Sequence, residues 1–247
     1  DQAMSSNAPW TAVLWDMDGT IVDASVGILR RLETTLAHFD LPAPQPDELS
    51  HWIGPPLPES FREHAGMTPS QAAEAVKFYR RLVRREPESG DARVYPGIAE
   101  LIREVHAAGI PQAIASSKPE TQVVELLESF GLTPFFSVAT GATADEVTRT
   151  AKVDIVIEAR RRLRDRGVET SRVVLIGDRH HDVGGGVAAG VPVLFVRWGF
   201  SRPGEEDGAI ATVDDVEQLR ALLLPPRDAP PAASADELAT EADRANG

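Results

Sequence analysis

Apolar residues follow two rhythms along this chain. Short apolar runs at Thr11–Trp15, Ile110–Ala115, Phe135–Thr140, Val173–Ile176 and Val191–Val196 read as strands buried on both faces. Between them, apolar residues recur at helical spacing over Pro96–Ala108, Pro119–Phe130, Lys152–Arg166, Val183–Ala189 and Asp214–Leu224. Gly109, Gly131, Gly167 and Gly190 follow the ends of these stretches, where a left-handed residue closes a helix. Strands alternating with helices predict an α/β fold: a Rossmann-like parallel sheet with helices on both faces.

One stretch breaks the alternation. Residues 24–93 carry helical patterns and no strand pattern. Ala24–Phe39 places Ile28, Leu29, Leu32, Leu36 and Phe39 at helical spacing, and Thr68–Glu86 opens with Thr68 as cap and Pro69 in the first turn. Leu41–Pro58 is proline-rich and is expected to be mostly loop around a short segment at Glu48–Ile53. The organisation expected is an α/β core from residues 11–23 and 94–224 with an inserted helical cap at 24–93. Pro225–Gly247, rich in Pro, Ala and acid, is expected to be disordered. The polar start Asp1–Ala8 is left outside the fold.

Composition narrows the function. The 247 residues are 42% hydrophobic, enough for a core plus an insertion. There is no Cys, which excludes a disulfide framework and thiol chemistry. A net charge of −13 argues against nucleic acid as a partner. No stretch is long and apolar enough for a bilayer, and the sequence opens with no leader pattern, so the expectation is a cytoplasmic protein with no membrane partner. The oligomeric state is left open. Lysine occurs only at Lys77, Lys118 and Lys152.

The candidate chemistry sits at the strand ends. Asp16 and Asp18 follow the first strand, where an open parallel sheet places its binding crevice, and Gly19-Thr20 makes a turn after them. Two neighbouring carboxylates repel unless a cation lies between them, and carboxylate oxygens suit Mg²⁺. With a metal in place, an aspartate can attack phosphorus and carry the phosphoryl group. Ser116 ends the second strand, Lys152 opens a later helix, and Gly177-Asp178 ends another strand with Asp182 four residues on.

Asp-x-Asp, then Ser, then Lys, then Gly-Asp-x-x-x-Asp resembles the haloacid dehalogenase (HAD) phosphohydrolase superfamily, and the resemblance covers Thr11 to Leu224. It implies Asp16 as nucleophile and Asp18 as general acid/base, with Asp16, the Asp18 carbonyl and Asp178 holding Mg²⁺. Asp182 is then a second ligand or the holder of a metal-bound water. Ser116 would donate to a phosphoryl oxygen, with Ser117 one residue away as the alternative. Lys152 would neutralise the shared charge, with Lys118 as its competitor, expected on the pocket rim. Gly19 and Thr20 support the flap. Trp15 stands where the family usually has Phe, and Ser117 where Asn is common; neither removes a catalytic group.

Ile53-Gly54-Pro55-Pro56-Leu57 and Tyr95-Pro96-Gly97 are similar to segments of the phosphoglycolate phosphatase-like branch, which also holds nucleotidases and pyrophosphatases. The insertion matches that family's helical cap, with Ile53, Gly54, Pro55 and Pro56 expected to select the substrate. The function implied is a Mg²⁺-dependent phosphatase for a small phosphate monoester such as phosphoglycolate. A 5′-nucleotidase, a pyrophosphatase or a β-phosphoglucomutase-like phosphotransferase are the alternatives within the superfamily. A non-catalytic phospho-acceptor or binding protein is the alternative outside it. Asp18 argues against a dehalogenase.

Three further features have plain structural readings. His180 and His181 read as exposed loop residues. Gly184-Gly185-Gly186-Val187-Ala188-Ala189 fits a dinucleotide fingerprint but is better explained by close helix packing. Arg80, Arg81, Arg84 and Arg85 read as a solvated helix face.

Overall fold

The computed structural model describes residues 8–226. The polar start up to Asn7 and the acidic end from Arg227, expected to be disordered, lie outside the described residues.

Six strands form one parallel sheet: β1 (Ala12–Trp15), β4 (Gln112–Pro119), β5 (Val138–Ala142), β6 (Val173–Gly177), β7 (Val193–Val196) and β8 (Ala211–Val213). Their spatial order is β5-β4-β1-β6-β7-β8. The chain leaves β1 toward β4 on one side and returns to β6 on the other. The order therefore reverses beside β1, and the crevice of such a sheet opens there, at the carboxyl ends of β4, β1 and β6. Register fixes this closely: Trp15 pairs with Ile114 of β4 and with Ile176 of β6.

Period-two alternation sends β1 side chains to opposite faces. Val13 and Trp15 join a core with α5 (Ile98–Ala107), α6 (Glu120–Ser129) and α9 (Val216–Leu223). Ala12 and Leu14 join the other core with α7 (Lys152–Asp165) and α8 (His180–Ala188). Trp15 is fully buried, and its indole N–H donates to Gln112 Oε1 at 2.9 Å, so the large ring brings no unsatisfied donor into the core. The glycine run in α8 is a packing device. A Cβ on Gly185 would lie 2.7 Å from the Lys152 stem, and one on Gly186 2.4 Å from Val193 Cγ2.

Between β1 and β4 the chain forms four α-helices with their own apolar cluster, including Leu32, Leu49, Phe61, Ala75 and Tyr79, before the helix α5. They are α1 (Ser25–His38), α2 (Pro46–Leu49), α3 (Leu57–Ala65) and α4 (Pro69–Arg85). The start of α4 is fixed by a capping box in which Thr68 and Gln71 bond each other's backbone N–H. Several elements were not expected from sequence: α3, whose entry is masked by prolines, the edge strand β8, and the ribbon of β2 (Val22–Asp23) with β3 (Arg93–Val94). That antiparallel ribbon joins the two chain crossings between insert and sheet. Among the described residues no helix is long and apolar enough to cross a membrane.

Candidate active site

Asp16 follows the last residue of β1, and its N–H bonds Ile176 O at 2.9 Å, which holds it in strand geometry between β4 and β6. The chain then turns: Ile21 and Val22 N–H both return to Met17 O, and Gly19 N–H bonds Val22 O. Gly19 has φ +82°, and a Cβ there would lie 2.1 Å from Asp178 Oδ2. Only glycine allows both the turn and that approach. The Trp198 indole fastens the turn by donating to Thr20 O at 3.1 Å.

Asp16, Asp178 and Asp182 are buried and offer carboxylate oxygens within 4.8 Å of one another. Lys152 reaches in from the first turn of α7, with Nζ 2.9 Å from Asp16 Oδ1 and 2.7 Å from Asp182 Oδ1. With all three carboxylates ionised, one ammonium leaves two negative charges uncompensated in this buried space. Asp16 Oδ2 is buried without a hydrogen-bond partner. An orphaned oxygen in a doubly negative pocket of hard donors fits a divalent cation such as Mg²⁺.

The other oxygens are committed. Asp178 Oδ2 accepts from Phe200 N–H at 2.9 Å, and Asp178 Oδ1 lies 3.4 Å from the Thr20 hydroxyl. Asp182 Oδ2 accepts the N–H groups of Asp178 and Arg179 at 3.1 and 3.0 Å, tying the β6 end to the first turn of α8.

Electrostatics follow burial. Desolvation, with the Asp182 charge, pushes Asp16 up to about 7 against the pull of Lys152. Burial and the charges of Asp16 and Asp182 push Asp178 well above the usual carboxylate range. For Asp182 burial is outweighed by Lys152 and His181, which hold it below that range. Burial works against the Lys152 charge, but Asp16 and Asp182 hold the ammonium protonated.

Asp18 lies apart from that cluster. Its Oδ2 is 3.0 Å from Lys118 Nζ, and Lys118 also bonds Glu88 of the insert. Lys118 is therefore buried rather than on the rim as expected. The strand β4 runs on past Ser117 to Pro119 with a shifted register, carrying the lysine inward. Burial raises the Asp18 pKa despite Lys118. Burial pushes Glu88 up as well, but Lys118, Arg31 and Arg80 together outweigh it and hold Glu88 below its usual range.

Ser116 and Ser117 are both buried at this edge. Ser116 Oγ accepts Lys118 N–H at 3.1 Å, whereas Ser117 Oγ has no partner. A cavity of about 50 Å³ lies beside Asp18, Ser117 and Lys118, lined from the insert side by Trp52, Ile53, Gly54, Pro55 and Leu57, with Tyr79, Arg80 and Glu88. Pro56 does not line it. It faces an outer groove instead. Glu88 and Tyr79 gave no sequence signal: the first sits in a Pro-Glu-Ser-Gly turn and the second in an ordinary helix stripe.

Two other expectations are corrected. His180 and His181 begin α8 rather than a loop, and only His180 is exposed. His181 is half-buried, and burial lowers its pKa to about 4. Arg80 is not on a solvated face: Nε and Nη2 grip both oxygens of Glu146 at 3.0 and 2.6 Å, across from the insert to the core. Arg81, Arg84 and Arg85 are exposed as expected.

Arg179 is a further residue missed. It is 3% exposed, and its Nη1 donates to the carbonyls of His51 and Ile53 at 2.7 Å each, while Nε bonds Glu205. It fastens the loop over the cavity to the residue following Asp178.

The chain is 34% identical over 215 residues to "Tyrosine-protein kinase PtkA" of Mycobacterium tuberculosis, spanning 85% of this chain and 72% of that protein. It is 33% identical over 231 residues to the plasmid phosphoglycolate phosphatase of Cupriavidus necator, spanning 91% and 97%. A predicted phosphatase from Clostridium acetobutylicum has the same fold, with TM-score 0.80 at 28% identity over 86% of this chain and 97% of that one. The sequence model for haloacid dehalogenase-like hydrolases matches residues 13–196, from β1 through β7 and including the insert. The chain belongs to that family, the haloacid dehalogenase-like hydrolases.

Proposed function

We propose that this chain is a Mg²⁺-dependent phosphatase that hydrolyses a small phosphate monoester through an aspartyl phosphate on Asp16. The observation that carries the reading is the Asp16 carboxyl group: Lys152 holds Oδ1, Oδ2 is buried and unpartnered, and the carboxylates of Asp178 and Asp182 lie within 4.8 Å.

One carboxylate oxygen of Asp16 forms a bond to phosphorus as the ester P–O bond breaks. Asp18, whose pKa is raised by burial, gives its proton to the departing oxygen. It then takes a proton from the water that attacks the phosphorus of the aspartyl phosphate, which returns Asp16 as a carboxylate and releases phosphate. Lys152 lies beside Asp16 throughout and balances charge as it gathers. Ser116 and Ser117 supply hydroxyl donors for phosphoryl oxygens. Asp16, Asp178 and the Asp18 carbonyl are the groups to hold Mg²⁺, which when bound supplies positive charge to the phosphoryl oxygens. Asp182 keeps Asp178 and Lys152 in place.

Residues 24–93 act in this reading as a cap. A cavity of about 50 Å³ has room for only a few water molecules, so the enclosed part of the leaving group is small. That suits a glycolate-sized ester, in keeping with the name of the Cupriavidus relative.

The test is release of inorganic phosphate from p-nitrophenyl phosphate and phosphoglycolate. Turnover that needs Mg²⁺ and stops in EDTA is expected, and equal turnover after metal removal defeats the proposal. The similarity to a protein named as a tyrosine kinase makes transfer from Asp16 to a hydroxyl acceptor the second reading. Transfer of labelled phosphoryl to a tyrosine peptide with little release of phosphate would favour it.

A further inference from the structure

The cavity beside Asp18 is not the only space between insert and sheet. A groove of about 990 Å³ runs outside it, between α3 and α4 on one wall and residues 144–151 on the other. The two spaces share a partition. Pro55 and Leu57 face the cavity, Pro56 and Pro58 face the groove, and Arg80 borders both. Where the two linings meet, the Arg80 guanidinium makes a two-point bond to Glu146. Glu146 is fixed for that contact: its φ is +51°, uncommon for a residue with a Cβ, and the preceding Asp145 accepts from the N–H groups of Val147 and Thr148.

The groove also departs from the charge of the molecule. It is lined by five cations and three carboxylates in a chain of net charge −13. Lys77, Arg80, Arg81 and Arg84 lie along one face of α4, and Arg62 joins them from α3. Arg62, Arg81 and Arg84 are exposed and make no ion pair among the described residues. Thr150 and Ala151, directly before Lys152, also line the groove.

We infer that this groove is an outer subsite for a second anionic group, entered past Arg80, so that elongated esters with negative charge at both ends are accepted beside the small monoesters. The inference rests on the phosphatase reading and extends it. One phosphoryl group meets Asp16, the linking carbons pass the partition when Arg80 leaves Glu146, and the distal phosphate or carboxylate lies against Arg81 and Arg84. Small monoesters use the inner cavity alone.

The matched probes are pentyl phosphate and pentanediol bisphosphate, which differ only in the distal charge. The readout is the ratio of kcat/KM for the bisphosphate to that for pentyl phosphate. Reversing charge at two exposed positions in Arg81→Glu/Arg84→Glu should lower this ratio about tenfold, the size expected for two partly screened pairs turned repulsive. The loss should shrink in high salt. Glu146→Gln, which frees Arg80, should raise the ratio. An unchanged ratio in both variants overturns the subsite. If wild-type protein with Mg²⁺ hydrolyses neither ester, the phosphatase reading fails, and calorimetry of bisphosphate binding to Asp16→Asn protein decides the groove separately. Weaker binding after charge reversal upholds it, and equal binding overturns it.

Discussion

Lys118 Nζ lies 3.0 Å from Asp18 Oδ2 and bonds Glu88 on its other side, so one buried ammonium joins the turn after β1 to the end of the helical insert. Removing one member of a buried ion pair strands the others in a low dielectric, typically at about 3–5 kcal/mol. The two ends of the triad are not equivalent. Lys118→Ala strands Asp18 and leaves Glu88 with the more distant Arg31, whereas Glu88→Gln leaves Lys118 paired with Asp18. Urea unfolding should therefore rank Lys118→Ala as the more destabilised variant. The reverse order would mean that Glu88 depends chiefly on Arg31, 3.8 Å away.

The two aspartates of the first motif should separate kinetically. Asp16→Asn should show no turnover, because an amide cannot become the acyl phosphate. Asp18→Asn keeps the nucleophile but loses proton transfer, a contribution of about 10²–10⁴-fold. Mass spectrometry of acid-quenched Asp18→Asn should find phosphate on Asp16. Phosphate on Asp178 instead would reassign the nucleophile.

Lys152→Ala should lower kcat about 10²–10³-fold, the usual effect of losing a charge that meets the transition state. The stem of Lys152 packs over Gly185, so a shortened side chain also leaves a gap. Lys152→Met fills that gap and should be equally slow. Recovery of activity in the methionine variant would show that packing, and not the ammonium, is what matters.

Much of this arrangement was legible because sheet order and chemistry share a pattern. Apolar runs ending in Asp16, Ser116 and Asp178 put those side chains at one sheet edge once the strands are parallel, and Lys152 follows from its place at a helix start. What could not be read depends on long-range contacts with no local signature. The ribbon of Val22–Asp23 with Arg93–Val94 is two residues long on each side, too short for any alternation. Pro119 reads as a helix start, which hid the continuation of β4 that buries Lys118. Arg80 looks like its exposed neighbours Arg81 and Arg84, and only distant partners, Glu146 and Gln122, set it apart. Pro56 and Pro58 suggested loop where α3 begins, although proline suits a first helical turn.

Arg179 links the loop over the cavity to the metal-site end of β6. Arg179→Lys keeps charge but cannot reproduce a planar fork that holds two carbonyls and Glu205 together. The loop of Ile53 and Gly54 should then open more readily. KM for a small ester should rise more than kcat falls, and hydrogen exchange at residues 51–54 should quicken. Unchanged exchange with a lowered kcat would place the effect of Arg179 at Asp178 instead.

Glu205 gives a pH signature. Burial would raise its pKa, but His180, the Arg202 N–H and Arg179 outweigh that and hold it at about 2. An unfolded Glu titrates at about 4.3. A carboxylate lowered on folding binds fewer protons in the native state than in the unfolded state between those values. Its stabilisation is therefore complete above about pH 5 and fades as the solution is acidified toward about pH 2. Glu205→Gln should be less stable than wild type at pH 7, and the gap should narrow on acidification through that window. Urea midpoints for both proteins at pH 7, 4 and 3 measure it. A gap that stays constant with pH would mean that Glu205 contributes by shape rather than charge.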